Sequence, residues 1–269
     1  MLLQLDKSFN FQGQSIAWGC VGKGDPVVMV HGFPWSAQSW RKIVPLLAKN
    51  KTVYYFDMPG SGQSEKNDKQ DVSPASQNDL LAALIEHWKL GEPEVVAHDF
   101  GGLAALRAYY INGLRYRKLT LINVVAVLPS GSPFYSHVRN HYEVFAKVPA
   151  YAHHALLEAF IQKAAYKPLS REAAQIYAAP WKDDVGQAAF YRQIAQSDIK
   201  YIEEIQALYG PMHGQVNLVW GEQDLFIPLN QGKELAKLIS ADSFTTVPNA
   251  GHIVQEDAPE AIVAALFSS

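Results

Sequence analysis

Residues 94–106 constrain the fold of this chain more than any other segment. The short apolar run Glu94–His98 leads into a turn at residues 99–102 that contains two glycines, and a helical pattern follows at once. A strand that enters a helix through so tight a turn holds one side chain at a sharp, exposed corner. Asp99 occupies that corner.

A carboxylate at this corner predicts different chemistry from a hydroxyl. In the pattern G-x-S-x-G a serine fills the corner, loses its proton during attack and typically attacks a carbonyl carbon. The Asp99 carboxylate is already ionised at neutral pH and is a weak nucleophile, suited to displacing a leaving group from a saturated carbon. The residue argues against an ordinary esterase or lipase and favours cleavage of a carbon–halogen bond or an epoxide C–O bond.

Strand and helix patterns alternate along the first half of the chain. The predicted strands cover residues 15–21, 26–30, 51–57, 94–98 and 118–127. Ser36 is a predicted N-cap for a helix through Lys49, and Ser73 is a predicted N-cap for the next helix. Units of this kind form a parallel sheet with helices on both faces, so the pattern predicts an α/β fold.

The alternation stops between residues 130 and 210. This segment contains helical stretches rich in aromatic residues and histidine but no clear buried strand, and strand patterns resume near residue 216. We interpret residues 130–210 as a helical cap inserted into a core domain formed by residues 1–129 and 211–269. The alternative is that these helices only cover one face of the sheet.

Composition limits the function classes. The 269 residues carry a net charge of −3 and one cysteine, Cys20, so no intrachain disulfide forms. Without a basic run or a long apolar stretch, we expect no nucleic acid or membrane partner, and the N-terminus lacks signal-peptide features. No metal-ligand spacing occurs. We therefore expect a cytoplasmic monomer or homodimer that acts on a small molecule and water without a cofactor.

Two further residues follow later predicted strands in the order nucleophile, acid, histidine. Asp224 comes at the end of strand 216–220, where open α/β sheets collect their ligands, and His252 lies in a loop of small residues. Asp99 would form an alkyl ester, His252 would activate the water that hydrolyses it, and Asp224 would orient His252. Glu222 is the alternative acid.

Two backbone amides are candidates for an oxyanion hole. The loop after strand 26–30 supplies one N–H in this arrangement, and the residue after the nucleophile supplies the other. Here these are the amides of Phe33 and Phe100. They would stabilise the oxyanion that forms when water attacks the Asp99 ester.

These residues belong to a set of motifs that resembles the aspartate-nucleophile branch of the α/β-hydrolase superfamily. The motifs are His31-Gly32-Phe33-Pro34, Asp57-x-x-Gly60-x-Gly62-x-Ser64, His98-Asp99-Phe100-Gly101-Gly102, Gly221-x-x-Asp224 and Gly251-His252. The branch includes epoxide hydrolases, haloalkane dehalogenases and haloacetate dehalogenases. The resemblance implies an α/β-hydrolase fold, with a mostly parallel sheet, helices on both faces and an inserted helical cap.

The resemblance also implies which cap residues assist the reaction. In epoxide hydrolases two cap tyrosines donate protons to the opening ring, and one lies in a Tyr-Arg pair near the end of the cap. Tyr191 fills that position here, and Tyr135 or Tyr142 is the possible second donor. Trp35 and Trp181 are candidate substrate-binding residues, which could also supply the N–H donors that a departing halide needs.

The leading hypothesis is hydrolysis of a small apolar or aromatic epoxide to a diol through an ester on Asp99. Haloalkane dehalogenases carry a tryptophan directly after the nucleophile, where this chain has Phe100. Haloacetate dehalogenases carry arginines just after the nucleophile, where this chain has Phe100 and Leu103. A dehalogenase of haloalkanes or haloacids is therefore the second hypothesis. A ligand-binding member of the fold without catalysis is the third.

Overall fold

The computed structural model describes residues 1–267, and its central feature is one eight-stranded sheet. In chain order the strands are β1 (Lys7–Phe11), β2 (Gln14–Gly22), β3 (Asp25–Val30), β4 (Lys51–Phe56), β5 (Glu94–His98), β6 (Lys118–Ile122), β7 (Gln215–Gly221) and β8 (Ser243–Val247). They lie side by side in the order β1-β2-β4-β3-β5-β6-β7-β8. β2 pairs antiparallel with β1 and β4, and the other neighbours pair in parallel. The sheet is mostly parallel, as predicted.

Helices connect most of these strands. In chain order they are α1 (Val44–Leu47), α2 (Pro74–His87), α3 (Phe100–Tyr110), α4 (Pro133–Asn140), α5 (Tyr142–Phe145), α6 (Ala150–Lys163), α7 (Arg171–Ala178), α8 (Asp184–Gln196), α9 (Lys200–Gln206), α10 (Leu229–Leu238), α11 (Val254–Asp257) and α12 (Pro259–Phe267). Two short 3-10 helices lie at Ala37–Trp40 and Ala179–Trp181.

Both faces of the sheet are covered because its central strands are apolar on both sides. In β3, Val28 and Val30 point into a buried cluster that also contains side chains of α2, α3 and α10. The alternate residues Val27 and Met29 join a second cluster with α1, α11 and α12. Side chains alternate between the two faces of a strand, so a continuous apolar run requires helices on both faces. The predicted α/β fold is confirmed.

The predicted single helix from Ser36 to Lys49 is wrong. Ser36 does act as an N-cap, since its side chain accepts a hydrogen bond from the amide of Gln38, but it caps the 3-10 helix Ala37–Trp40. A separate helix, α1, then begins with Pro45 in its first turn. Proline has no amide hydrogen and its ring clashes with the preceding helical turn, so one continuous helix cannot pass through this position.

Two strands also differ from the sequence prediction. β6 ends at Ile122 rather than at Val127, because Asn123 adopts a left-handed φ of +43° that no strand accommodates. β1 is missed by the apolar pattern because four of its five residues are exposed or half-buried. It pairs with β2 as the edge of the sheet.

Helices between β6 and β7 build a third apolar cluster over the loops that carry the candidate site. Trp181 and Phe190 pack there with Phe33, which follows β3. α9 differs, because its Ile202 joins the cluster on the α3 face of the sheet. Helices α4 to α8 contribute to the third cluster. The cap at residues 130–210, with these boundaries, stays a prediction.

The turn between β5 and α3 generates a stability prediction at Gly101. A Cβ at this position would lie 2.5 Å from the carbonyl oxygens of Val30 and His31. Gly101→Ala should therefore lower the free energy of unfolding by about 1–3 kcal/mol, measured by urea denaturation. Gly91→Ala is the control, because a Cβ there meets nothing within 4 Å. Equal stability of both variants would contradict the prediction.

Candidate active site

Asp99 sits at the junction of β5 and α3 in a strained backbone conformation. Its φ and ψ are 55° and −127°, values that non-glycine residues rarely adopt. Its amide donates to the carbonyl oxygen of Ile122, 3.3 Å away, and its own carbonyl accepts the amides of Gly102 and Val125. These hydrogen bonds to α3 and to the end of β6 fix the backbone conformation of Asp99. The carboxylate is buried but reaches the cavity described below.

His252 lies between two carboxylates. Its Nε2 is 3.5 Å from Oδ1 of Asp99, and its Nδ1 is 2.9 Å from Oδ2 of Asp224. Both carboxylates and the imidazole are buried. Asp224 follows β7 and His252 follows β8, so the parallel strands bring the three predicted residues together at one edge of the sheet. Glu222 is exposed and has no contact with His252 among residues 1–267.

Asp224 has every carboxylate oxygen engaged. Oδ1 accepts the amides of Phe226 and Ile227 at 2.7 and 2.9 Å. Oδ2 accepts Nδ2 of Asn123 at 2.6 Å in addition to the His252 proton. Asn123 also accepts the amide of Gly221 at 3.0 Å, which ties β6 to β7. The sequence assigns no role to Asn123, an amide in the apolar run 118–127 where no acid occurs.

The two carboxylates determine the protonation of His252. Burial alone lowers the pKa of His252, but the charges and hydrogen bonds of Asp224 and Asp99 outweigh it and raise the pKa to about 10. The ring is therefore an imidazolium at neutral pH. Its ion pairs stabilise the fold fully below about pH 6.5, and this contribution is lost as the pH rises through about 10.

His98, the residue directly before Asp99, contacts His252 as a neutral ring. Its Nε2 donates to the carbonyl oxygen of His252 at 3.0 Å, and the two ring centres are 4.7 Å apart. Burial and the adjacent positive charge of His252 hold the pKa of His98 well below its usual range. An uncharged His98 avoids repulsion with the imidazolium.

The Phe33 amide occupies the position predicted for an oxyanion donor. Its N–H donates to Oδ2 of Asp99 at 2.8 Å, which leaves Oδ1 on the side of His252. A Cβ at Gly32 would lie 2.3 Å from Oδ2 and 2.7 Å from the Phe100 nitrogen, so glycine alone permits this close approach. The Phe100 amide, at the first residue of α3, has no hydrogen bond within the described chain.

A cavity of about 390 Å³ opens onto Asp99 and His252. Its wall is mainly aromatic and aliphatic, and these side chains include Phe33, Phe100, Leu103, Val125, Phe134, Phe160 and Phe226. Such a wall suits an apolar ligand, with a few polar groups to orient it. Two basic residues that no sequence motif indicates, Arg139 and Lys163, also line the cavity.

Tyr135 is the predicted cap tyrosine that lines this cavity. Its ring stacks near Phe100, with centres 6.4 Å apart. Burial and the nearby negative charge of Asp99 hold the pKa of Tyr135 well above its usual range, so the hydroxyl keeps its proton. Within residues 1–267 the hydroxyl has no hydrogen-bond partner, and it remains available to a ligand.

The other two predicted tyrosines lie outside the cavity wall. The Tyr191 hydroxyl is 3.1 Å from Nδ1 of His153, whose Nε2 donates to the carbonyl oxygen of Trp181 at 2.8 Å. Tyr191 is fully buried, and its hydroxyl is already hydrogen-bonded to His153. Tyr142 packs at the edge of the third apolar cluster. The geometry gives neither side chain access to a substrate at Asp99.

The two predicted substrate-binding tryptophans are also placed away from the cavity wall. The indole N–H of Trp181 donates to the carbonyl oxygen of Pro34 at 2.9 Å, so it is not free for a ligand. Trp35 packs between Tyr177 and His252, with ring centres 5.0 and 6.4 Å away. Both side chains are fully buried in the third apolar cluster, together with residues of α6, α7 and α8.

Neither a metal centre nor a membrane span is found in the part of the chain that the structure describes. No group of three or more His, Cys, Asp or Glu side chains there could hold a metal ion. None of the helices within residues 1–267 has the length and apolar character needed to cross a bilayer.

The ion pair predicts the effect of neutralising Asp99 on His252. In the Asp99→Asn variant the pKa of His252 should fall by about one to three units, the usual effect of one opposite charge. NMR of the histidine ring protons across a pH series measures this, with the exposed ring of His213 as the internal control. An unchanged titration of His252 would contradict the ion pair.

Comparisons with known proteins agree with this architecture. The alpha/beta hydrolase fold family matches residues 25–259. A crystal structure of an alpha/beta hydrolase fold protein from Burkholderia ambifaria is 51% identical with a TM-score of 0.97, and covers 99% of this chain and 98% of its own. The uncharacterized hydrolase YugF of Bacillus subtilis (strain 168) is 26% identical over 245 residues, 88% of this chain and 86% of that protein.

A third relative is similar over a shorter stretch. The soluble epoxide hydrolase of Corynebacterium sp. (strain C12) is 29% identical over 127 residues, which are 45% of this chain and 43% of that protein. Since the family match extends over most of the chain, this protein belongs to the alpha/beta hydrolase fold family.

Proposed function

We propose that this hydrolase opens small apolar or aromatic epoxides to diols through an ester on Asp99. The observation that carries the proposal is the Tyr135 hydroxyl, which has no partner in the described chain and lines the same cavity as Asp99. An epoxide oxygen needs a proton donor as its bond to carbon breaks, and Tyr135 supplies an O–H for that role. The similarity to a soluble epoxide hydrolase supports the same chemistry.

In the first step Oδ1 of Asp99 attacks an epoxide carbon, and the C–O bond on that carbon breaks. The oxygen that leaves takes the proton of Tyr135. Oδ2, held by the Phe33 amide, becomes the carbonyl oxygen of the ester. Esterification removes the negative charge of Asp99, so the pKa of His252 falls. The imidazolium can then give its proton to the deprotonated Tyr135 oxygen.

In the second step neutral His252 removes a proton from water, and the hydroxide attacks the carbonyl carbon of the ester. The Phe33 and Phe100 amides stabilise the oxyanion that develops on Oδ2. The bond between the ester carbonyl carbon and the substrate oxygen then breaks, and that oxygen takes the proton of the added hydroxide. The diol leaves, and the site regains the Asp99 carboxylate with the His252 imidazolium. Asp224 supplies the opposite charge whenever His252 is protonated.

Carbon–halogen cleavage has less support from the surroundings of Asp99. A departing halide needs N–H donors, and no tryptophan of residues 1–267 lines the cavity. The Trp181 indole and the Phe33 amide already donate to Pro34 and to Asp99. An epoxide, which needs an O–H donor, fits the free Tyr135 hydroxyl better.

Trapping the ester tests the covalent mechanism. In His252→Gln, styrene oxide should add its whole mass to the peptide that contains Asp99, because attack proceeds while hydrolysis slows by about 10²- to 10⁴-fold. Mass spectrometry after a short incubation measures the adduct, and the variant that also carries Asp99→Asn is the control. An adduct from benzyl chloride but not from styrene oxide would indicate a dehalogenase. No adduct from either compound would refute the ester.

Tyrosine variants test the proton donor. Tyr135→Phe should slow ester formation by about 10²- to 10⁴-fold in single-turnover experiments, because the leaving oxygen loses its proton donor. Tyr191→Phe is the matched control and should change the rate far less, since its hydroxyl bonds to His153. A large loss of the ester-formation rate in Tyr191→Phe, with a normal rate in Tyr135→Phe, would identify Tyr191 as the proton donor instead.

A further inference from the structure

Arg139 and Tyr135 lie on the same face of α4. They are four residues apart in the helix Pro133–Asn140, and both line the cavity of Asp99. Residues at this spacing are neighbours one turn apart, about 5–6 Å along the helix. A substrate whose reacting carbon lies between Asp99 and Tyr135 therefore has a guanidinium within reach of its other end.

The Arg139 guanidinium is not neutralised by the protein. One of its terminal nitrogens donates to the carbonyl oxygen of Ser197 at the end of α8. Its Nε is buried and has no acceptor, and no carboxylate of residues 1–267 lies within 4.0 Å of it. A buried N–H on a cation without an acceptor is costly, so the site is suited to an acceptor that a ligand brings.

Lys163 places a second positive charge in the same wall. Its Nζ is 5.7 Å from the ring centre of Phe226, and it forms no ion pair within the described residues. Neither acidic residue of the wall forms an ion pair with Arg139 or with the exposed Lys163. Asp99 is paired with His252, and Asp198 accepts the amide of Lys200 without reaching either cation.

We propose that the substrate carries a carboxylate that Arg139 binds, with Lys163 adding positive potential. This rests on the proposed function, because it names the substrate class of the same site. The substrate is then amphipathic, with an epoxide at Asp99, an apolar body against Phe160 and Phe226, and an anionic end. The guanidinium and a carboxylate form charge-assisted hydrogen bonds, which are stronger than neutral ones.

A matched pair of epoxides tests the proposal. For wild type, kcat/KM should be higher for 4-oxiranylbenzoate than for 4-oxiranylbenzamide, which has the same shape without the charge. In Arg139→Met the ratio of the two values should fall by about 10- to 100-fold, the strength of a charged hydrogen bond. Arg139→Lys, which keeps the charge, should lose less. Arg171→Met, an exposed cap arginine outside this cavity, should leave the ratio unchanged.

A binding measurement separates this proposal from the proposed reaction. Calorimetry should show that 4-ethylbenzoate, which has no epoxide, binds wild type more tightly than 4-ethylbenzamide does, and that Arg139→Met removes the difference. Turnover of both epoxides with a ratio that Arg139→Met leaves unchanged would overturn the carboxylate site and leave the reaction standing. Binding that depends on Arg139 without turnover of either epoxide would support the carboxylate site and refute the reaction.

Discussion

The architecture of the site depends on two buried carboxylates that share one imidazole. A buried charge without a partner costs several kcal/mol, so both Asp99 and Asp224 must be compensated without water. His252 contacts each of them, and backbone amides satisfy the remaining oxygens. The arrangement exists because β5, β7 and β8 run in parallel and end at one edge. β6 lies between β5 and β7, and Asn123 at its end bridges to Asp224.

The same charges order the steps of the proposed reaction. While Asp99 is ionised, two negative charges keep His252 protonated, with its pKa near 10, and an imidazolium cannot act as a base. Forming the ester removes one of these charges, and the pKa of His252 then falls. The base therefore becomes active only after an intermediate exists for it to hydrolyse. Neutral His98 fits this scheme, because a second fixed positive charge would lower the pKa of His252 from the start.

The sequence predicts the parts of the site that depend on local pattern. Asp99 and Asp224 each follow an apolar strand, and the ends of parallel strands meet wherever the rest of the chain goes. The cap is different, because the direction in which a helical tyrosine points depends on how several helices pack together. The Tyr-Arg pair favours Tyr191 in the sequence, yet Tyr135 lines the cavity and Tyr191 bonds to His153. Asn123 is missed for a related reason, since its role follows from a positive φ that the apolar pattern conceals.

α4 joins recognition to chemistry in the proposed scheme. It carries both the proton donor, Tyr135, and the cation proposed to bind the substrate, Arg139. Arg139 also donates to the carbonyl of Ser197 at the end of α8, so the guanidinium links α4 to α8. A carboxylate bound at Arg139 would therefore lie one helical turn from the hydroxyl that protonates the leaving oxygen. The spacing of these two residues on one helix would then set the distance between the charged end of the substrate and its epoxide.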